Sequence, residues 1–252
     1  MNSYLKRKKK ALLMGSGGWW MPPNFNPDDC ICAYQFKGAG DESTALSDLT
    51  GHGYTLSKSY AVPGNSVWNN NTGFYLGGAD GAYWRAAHAL HNGSVPTNQI
   101  KSVIVKFQTA GGLVEQIAYS IPHKGDDGLT FAFGAGWYAD GRDYVQWTHQ
   151  TSNSIPTISS NFRVVGHNIG WGYGAQGVDY HVEQYSEIYL NGVRVQIDGK
   201  FNSGTRSFEG VLFGATGAPG NVGSLVVVGG AFYKRWLTAS EMSFIYDQIE
   251  AI

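Results

Sequence analysis

The stretch Tyr185–Asp198, YSEIYLNGVRVQID, places Asn191-Gly192 between two runs of alternating apolar and polar residues. Asn-Gly in this setting is the strongest short-range signal for a β-hairpin with a two-residue turn. A type I′ turn needs positive φ at both central residues, and Asn and Gly tolerate that conformation. The stretch therefore predicts two antiparallel strands joined at Asn191-Gly192.

The turn also predicts which residues of the two strands face each other. The expected pairs are Leu190 with Val193, Ile188 with Val195, and Ser186 with Ile197. Because side chains alternate with a period of two, one face is apolar: Ile188, Leu190, Val193, Val195 and Ile197. The other face is polar and carries Glu187, Tyr189, Arg194 and Gln196, with Tyr189 opposite Arg194 and Glu187 diagonal to it. We expect one face to lie on a core and the other in water.

Short apolar or alternating runs recur along the rest of the chain, with Gly- and Asp-containing turns between them. The predicted strands are Ile31–Phe36, Ser66–Trp68, Gly73–Leu76, Ile100–Thr109, Leu113–Ile121, Leu129–Trp137, Asp143–Thr148, Phe162–Val165, Val178–Val182, Gly210–Phe213 and Ser224–Val228, and Leu49–Leu56 is a turn leading into a strand. Short strands at this spacing are typical of sandwiches and jelly rolls. The sequence thus predicts an all-β, two-sheet antiparallel jelly-roll sandwich.

A single short α-helix is predicted after residue 237. Thr238 and Glu241 have the T-x-x-E spacing of a capping box, and Leu237 and Met242 occupy the hydrophobic-staple positions. Met242, Ile245, Ile249 and Ile252 recur at helical spacing, which predicts a helix that buries one face.

Composition fits one sheet-rich domain. The chain has 252 residues, 35 of them glycine, with 14% aromatic and only 15% charged residues. Cys30 and Cys32 are the only cysteines, and we expect free thiols, because neighbours two positions apart in a strand rarely form a disulfide. No apolar run approaches the roughly 18 residues of a membrane span, and no secretory signal is expected.

Residues 1–29 lack any sustained periodicity and are predicted to form an arm outside the core, which leaves residues 30–252 as the sandwich. The arm holds five of the 18 basic residues: Lys6, Arg7, Lys8, Lys9 and Lys10. Without them the chain has 13 basic and 19 acidic residues, a net charge of −6. Two interpretations stay open: a solvated tail, or an anchor whose basic run binds an anionic partner while Trp19 and Trp20 dock on it.

Three stretches together resemble the concanavalin A-like, or laminin-G-like, jelly-roll family. Ala33–Leu56 resembles the opening of such domains, with a D-x-T-G-x-G turn at Asp48–Gly53; IYLNGVRV, Ile188–Val195, resembles their Asn-Gly hairpin; and Phe232–Met242 resembles their closing strand followed by R-x-L-T-x-x-E. The resemblance spans residues 31–252 and implies two sheets, one of them concave, with ligands on the concave face or at the rim loops. It implies fold more than function, because members include lectins, adhesion modules, glycosidases and passive spacers.

The most enzyme-like feature is Glu183-Gln-Tyr-Ser-Glu187. Glycosidases of the resembled family carry an E-x-D-x-E strand, but Tyr185 stands at the position of the central Asp. Residues four apart in a regular strand are separated by roughly 13 Å, whereas retaining and inverting pairs need about 5–5.5 and 6.5–9.5 Å. We therefore interpret both glutamates as part of a solvated strand face.

Aromatic residues in glycine-rich loops form the predicted ligand site. Sugar binding uses a flat ring for C–H faces and nearby backbone for hydroxyl groups, and the candidate residues are Trp137, Tyr138, Trp147, Trp171 and Tyr173. The alternative is that these rings close the edges of the sandwich core. Gly172–Gly177 also matches G-x-G-x-x-G, but the strand predicted after it excludes a dinucleotide-binding turn, which opens a helix.

No metal or cofactor site is predicted. His88 and His91 form the only close histidine pair and lack a third ligand. Asp126, Asp127, Asp140 and Asp143 lie in predicted turns, where Asp is common. Calcium occurs in the resembled family, but no EF-hand-like spacing is present.

These patterns favour a non-enzymatic carbohydrate-binding or adhesion module, and we expect it to be an oligomer or part of a larger complex. A binding fold of extracellular type without an export signal is typical of particles released by lysis, and a bacteriophage virion surface is the expected setting. The alternatives are a particle-decorating protein without a ligand and a glycoside hydrolase that uses Glu183 and Glu187. The expected partners are a glycan and, through the arm, other proteins of the assembly.

Overall fold

Strands make up most of the chain that the structure, a computed structural model, describes. The described residues are 18–60, 66–76, 88–96, 99–109, 116–124, 130–137, 142–147, 150–156, 163–168, 172–173, 180–181, 186–198, 202–203, 207–208, 210–214 and 225–252. The strands are β1 Cys30–Gln35, β2 Ser57–Tyr60, β3 Ser66–Asn69, β4 Gly73–Leu76, β5 His88–Asn92, β6 Ser102–Thr109, β7 Gln116–Lys124, β8 Thr130–Trp137, β9 Arg142–Trp147, β10 Gln150–Pro156, β11 Arg163–Asn168, β12 Gly172–Tyr173, β13 Tyr180–His181, β14 Ser186–Leu190, β15 Val193–Asp198, β16 Asn202–Ser203, β17 Ser207–Phe208, β18 Val211–Gly214 and β19 Leu225–Tyr233. The helices are α1 Glu42–Leu46, α2 Ala239–Glu250 and a 3₁₀ turn at Pro27–Asp29.

Two large antiparallel sheets form the sandwich that the sequence predicts. Sheet A has the strand order β15-β14-β11-β6-β19-β4-β3, with β1 also paired to β19. Sheet B has the order β10-β9-β8-β7-β18-β5-β2, with β17 also paired to β7. A small third sheet joins β12, β13 and β16. The all-β prediction is confirmed, although β5, β10, the two-residue strands β12, β16 and β17, and the short helix α1 lie where the sequence analysis predicts no regular element.

Interlocking aromatic rings fill the space between sheets A and B. Phe213 of sheet B places its ring edge-on against three rings of sheet A, with centroids 5.7 Å from Tyr34, 5.2 Å from Phe36 and 5.7 Å from Phe232. All four side chains are fully buried. Gly230 leaves room for this packing, since a Cβ there would lie 2.5 Å from Cε1 of Phe213. Edge-to-face contacts of this kind add to the burial of apolar area that holds the sheets together.

The outer face of sheet A is also apolar, and residues 19–25 and helix α2 cover the part of it formed by β6, β11, β14 and β19. Trp19 and Trp20 are only 3% and 6% exposed and belong to one hydrophobic cluster with Tyr233 and Ile245. The hydroxyl group of Tyr233 donates to the carbonyl oxygen of Trp20 at 2.8 Å. This placement differs from the expectation that both indoles dock on a partner and that the core begins at residue 30. The basic run 6–10 lies outside the described residues, so its anchor role stays a prediction.

Arg235 fastens the two covering segments to each other. Its guanidinium donates to Asp29, at the end of the N-terminal segment, and binds both carboxylate oxygens of Glu241 in α2. The same group lies 4.6 Å from the centroid of the Phe25 ring. Hydrogen bonds from Arg235 lower the pKa of Glu241 to about 2, so the pair stays ionised over the physiological range.

Helix α2 has the predicted capping box, and a lysine of sheet A lies at its other end. The Thr238 side chain accepts from the backbone N–H of Glu241, and the Glu241 side chain accepts from that of Thr238. Met242, Ile245 and Ile249 are buried as predicted. The amino group of Lys106 donates to the carbonyl oxygen of Ile249 at 3.1 Å, where a cation also complements the helix dipole.

The hairpin that organises the sequence is confirmed at its turn. Asn191 and Gly192 have φ values of 50° and 79°, as a type I′ turn requires. Leu190 pairs with Val193 and Tyr189 with Arg194, as predicted.

Beyond these pairs the predicted register is wrong by one residue. A bulge places Ile188 opposite Gln196 and not Val195, and Ser186 opposite Asp198 and not Ile197. The two faces also differ from the expectation. Tyr189 is buried in the cluster under α2, and Val193 is 65% exposed. The helix covers the face that alternation alone assigns to water.

The D-x-T-G-x-G turn closes the free edge of β1. Asp48 accepts from the backbone N–H of Ala33 at 3.2 Å, and the N–H of Leu49 donates to the carbonyl oxygen of Ala33 at 2.8 Å. The ring of His52 contacts the carbonyl oxygen of Ile31 at 2.9 Å. The turn therefore satisfies backbone groups that an edge strand otherwise leaves without partners.

Two truncated chains test whether residues 18–29 belong to the folded domain. Removal of residues 1–17 keeps Trp19, Trp20 and Phe25, and we expect a melting temperature within a few degrees of that of the full chain. Removal of residues 1–29 exposes the cluster under α2, and each lost aromatic contributes about 1.5–3 kcal/mol of burial. Because this loss is comparable with the total stability of a domain, about 5–15 kcal/mol, we expect an insoluble or unfolded product. Thermal unfolding followed by circular dichroism measures both, and equal melting of the two truncated chains would contradict the placement.

Candidate functional site

Glu187, the described member of the predicted glutamate pair, has hydrogen-bond donors at both carboxylate oxygens. Oε2 accepts from Nδ2 of Asn168 and from the hydroxyl group of Tyr189, each at 3.0 Å. Oε1 accepts from Nη1 of Arg194 at 2.7 Å. Glu183 lies outside the described residues.

The contacts of Glu187 continue into a buried polar network at the entrance to α2. Asn168 is fully buried, and its Nδ2 also donates to the carbonyl oxygen of Leu237 at 2.8 Å. Its Oδ1 accepts from the hydroxyl group of Ser102 at 2.5 Å and from the backbone N–H of Leu237 at 3.1 Å. The network joins β6, β11 and β14 to the residue before the helix cap. Its role in the fold is to hold the helix against sheet A.

The electrostatics of Glu187 are those of an ion-paired carboxylate. Partial burial alone would raise its pKa, but the hydrogen bonds from Asn168, Arg194 and Tyr189 outweigh burial and lower it. Burial, together with the bond to Glu187, raises the pKa of Tyr189 to about 12. A glycosidase general acid needs the opposite shift, a raised carboxyl pKa. The arrangement suits a structural ion pair better than proton transfer.

The predicted aromatic site is partly within the described residues. Trp137 ends β8 and pairs in register with Gln116 on one side and Asp143 on the other. Trp147 ends the neighbouring strand β9, and Tyr173 lies in β12 of the small sheet. Tyr138 and Trp171 lie outside the described residues. The structure thus places Trp137 and Trp147 on adjacent strands of sheet B and Tyr173 in a different sheet.

The predicted histidine pair lies within β5, where His91 pairs with Ser57 of β2 and Leu212 of β18. Among the described residues, no group of three or more His, Cys, Asp or Glu side chains is arranged to hold a metal ion. Asp126, Asp127 and Asp140 lie outside the described residues, and Asp143 lies in β9 rather than in a turn. His167 is fully buried in sheet A, and burial lowers its pKa to about 3, so the ring is neutral in the folded state.

Both thiols are free, as the sequence predicts, and both are buried. Burial raises the pKa of the Cys30 and Cys32 thiols well above the usual value, which keeps them protonated and unreactive. In the described part of the chain, no helix is long and apolar enough to cross a membrane.

Sequence reasoning missed an exposed apolar row at one edge of sheet A. Val67 of β3 and Tyr75 of β4 are cross-strand partners and are 57% and 37% exposed. Their neighbours Trp68, Phe74 and Leu76 pack between the sheets, so the exposed pair lies on the outer face. Alternation within β3 and β4 separates the residues of the two faces. Because both faces carry apolar residues, the sequence does not show which face is covered.

Comparison with known proteins supports the fold. No protein-family model matches the chain, and no curated protein matches it. Among solved structures, Trypanosoma rangeli sialidase in complex with sialic acid has a TM-score of 0.60 at 10% identity, covering 88% of this chain and 34% of that chain. The chain therefore spans about a third of the sialidase.

Two botulinum neurotoxin structures are similar to the same extent. One, of type C, is described as dependent for cell entry upon interaction with two ganglioside molecules; it has a TM-score of 0.56 at 12% identity, covering 88% of this chain and 52% of that chain. The binding domain of botulinum neurotoxin DC in complex with rat synaptotagmin II has a TM-score of 0.56 at 13% identity, with 88% and 52% covered. Identities this low show a shared sandwich fold and no more.

Substitution of Glu187 tests its structural role. Loss of the carboxylate in Glu187→Ala leaves Arg194 and the Tyr189 hydroxyl group without this acceptor, and we expect a loss of about 1–3 kcal/mol in the free energy of unfolding. Glu187→Gln keeps one acceptor oxygen, and we expect a smaller loss. Urea denaturation measures both, with Asp28→Ala on the exposed 3₁₀ turn as the control. Full stability of Glu187→Ala would contradict the role.

Proposed function

We propose that this chain is a non-enzymatic glycan-binding or adhesion module with its ligand site on sheet B, at β8 and β9. The observation that carries the proposal is the placement of Trp137 and Trp147 on these adjacent, paired strands. Trp137 is in register with Asp143, and Asp143 and Trp147 are four residues apart in β9. At about 3.3 Å per residue, the two tryptophan positions are roughly 13 Å apart along the sheet. This spacing suits a short oligosaccharide.

The structural neighbours support a sugar ligand. The sialidase is described in complex with sialic acid, and the type C neurotoxin is described with ganglioside molecules. Indole rings offer the amphipathic surface that sugar rings pack on. An acidic glycan of the sialic acid class is therefore the first ligand to test.

The contacts of Glu187 favour binding over hydrolysis. A retaining or inverting glycosidase needs two carboxyl groups free to act on the same bond, whereas Glu187 is held by Asn168, Tyr189 and Arg194. A glycoside hydrolase that uses Glu183 and Glu187 is the alternative of a different class. A particle protein without any ligand is the second alternative.

Affinity electrophoresis through polysaccharides, including polysialic acid, tests the binding proposal. We expect the full chain to be retarded without release of new reducing ends, and Trp137→Ala and Trp147→Ala each to weaken binding at least about ten-fold, a loss of about 1.4 kcal/mol. Val193→Ala, an exposed site on sheet A, is the matched control and should leave the retardation unchanged.

The other outcomes of that experiment would either move the binding site or favour a different class of protein. Unchanged retardation of both tryptophan variants would move the site away from β8 and β9. New reducing ends that disappear in Glu187→Gln would establish the hydrolase alternative, and the absence of retardation by any polysaccharide would favour the ligand-free particle protein.

We further propose that the basic run at residues 6–10 joins the module to a larger particle, with a bacteriophage virion as the setting. Five consecutive cations precede a segment that is fastened to the domain at Trp20 and Asp29. Such a run binds anionic surfaces by charge. Because the buried residues Trp19, Trp20 and Phe25 all follow the basic run in the chain, we expect that loss of the run can be separated from loss of the fold.

Density-gradient sedimentation of particles from lysed producer cells tests the particle proposal. We expect the full chain to sediment with the particles, and a chain with Lys6, Arg7, Lys8, Lys9 and Lys10 replaced by Gln to stay in the soluble fraction. Unchanged melting of the replaced chain is the control for folding. Co-sedimentation of both chains would remove the basic run from the assembly.

A further inference from the structure

Among the described strands, β3 is an edge of sheet A, and the proposed glycan site does not use it. β3 is the last strand of the sheet, and among the described strands it pairs only with β4. An edge strand presents N–H and C=O groups that another strand can bind. β1, the other edge strand on this side of β19, has such groups bound by the turn at Asp48–His52.

The remaining edges of the two sheets carry features that oppose pairing with another chain. β2 contains Lys58, which forms an ion pair with Glu42, and β15 contains Arg194 and Asp198. β10 ends at Pro156 and lies beside β15. Charged residues and proline are the usual protection of edge strands. β3, with the sequence Ser-Val-Trp-Asn, has neither.

An uncharged row leads across the outer face of the sheet to this edge. Val67 pairs with Tyr75, Tyr75 with Val226 of β19, and Val226 with Gln108 of β6. We call these four residues the edge row. Val226 is half-buried, and exposure increases towards the edge, where Val67 is 57% exposed.

Hydrogen bonds within one copy hold β3 and the turn after it to the core. Nε1 of Trp68 donates to the carbonyl oxygen of Phe36 at 2.7 Å, which fixes β3 to the core. In the turn that follows, Asn70 accepts from the N–H groups of Gly38 and Gly40 at 2.7 and 2.9 Å. A strand held in this way loses little conformational entropy when it binds.

We propose that β3 is a self-association edge, through which two copies of this chain pair antiparallel about a two-fold axis at Val67. A second copy fits because an antiparallel strand is complementary to itself, and the two-fold axis brings the two edge rows together as one continuous uncharged row with the apolar Val67 of each copy at its centre. Since the row has no charged member, no like charges meet at the axis. The pairing extends sheet A of one copy into sheet A of the other and goes beyond the proposed glycan site on sheet B.

Sedimentation equilibrium of the full chain tests the pairing. Because four-residue strands bury a small interface, we expect a monomer–dimer equilibrium with a dissociation constant of roughly 1–100 µM. Val67→Lys and Val67→Glu place like charges opposite each other, and each should weaken the dimer at least about ten-fold. Val193→Lys is the matched control, because Val193 is equally apolar and 65% exposed but lies at the opposite end of the sheet; it should dimerise like the unmodified chain.

An equal mixture of the Val67→Lys and Val67→Glu chains tests whether the two-fold axis of the dimer lies at Val67. Opposite charges then meet at residue 67, and we expect dimerisation to return in the mixture. A full chain that stays monomeric throughout the range, or a Val67→Lys chain that dimerises normally, would overturn the proposal. A mixture that stays monomeric would overturn the axis at Val67. None of these results depends on whether the chain binds a glycan.

Discussion

Arg235 holds together the two segments on which the burial of sheet A depends. β19, the central strand of sheet A, is buried along most of its length, with side chains on both faces of the sheet. Sheet B covers one face, while the other needs residues 19–25 and helix α2. A planar guanidinium can bind Glu241 with two parallel hydrogen bonds, reach Asp29 and stack on Phe25 at once, which an ammonium group cannot. One side chain thereby joins the two ends of the described chain.

Sequence reasoning predicted the features whose interacting residues are close together in the chain, and it missed those whose partners are far apart in the chain. The Asn191-Gly192 turn and the capping box of α2 were predictable because their hydrogen bonds and φ requirements lie within a few residues. The burial of Trp19 and Trp20 was not, because the bond that marks it joins Trp20 to Tyr233, 213 positions away. A segment without periodicity gives no sign of such a partner. The hairpin bulge was hidden in the same way, because regular alternation continues through it.

In the candidate site, too, the sequence indicated what depends on nearby residues and missed what depends on distant ones. The spacing Glu183–Glu187 argues against a catalytic pair in a regular strand, and that interpretation stays a prediction because Glu183 lies outside the described residues. The same interpretation predicted a solvated Glu187, whereas the side chain is partly buried and held by hydrogen bonds. The residue that holds Glu187 is Asn168, whose own partner Ser102 is 66 positions from it, and no local pattern indicates that network. For Trp137 and Trp147 the sequence predicted two strands, and pairing in register was needed to show that these strands are adjacent. Aromatic content alone does not tell which rings share a sheet.

The motifs that carry the family resemblance all have structural roles in this chain. Asp48 closes the edge of β1, Oδ1 of Asn191 accepts from the backbone N–H of Val164, and Glu241 binds Arg235 while it caps α2. Each satisfies backbone groups or an ion pair of the fold itself, so these motifs indicate the fold and give no information on a ligand. The solved structures at 10–13% identity accordingly share the sandwich fold with this chain and no more. Residues that decide what this chain binds are therefore to be sought at positions without such structural roles, as at the exposed Val67.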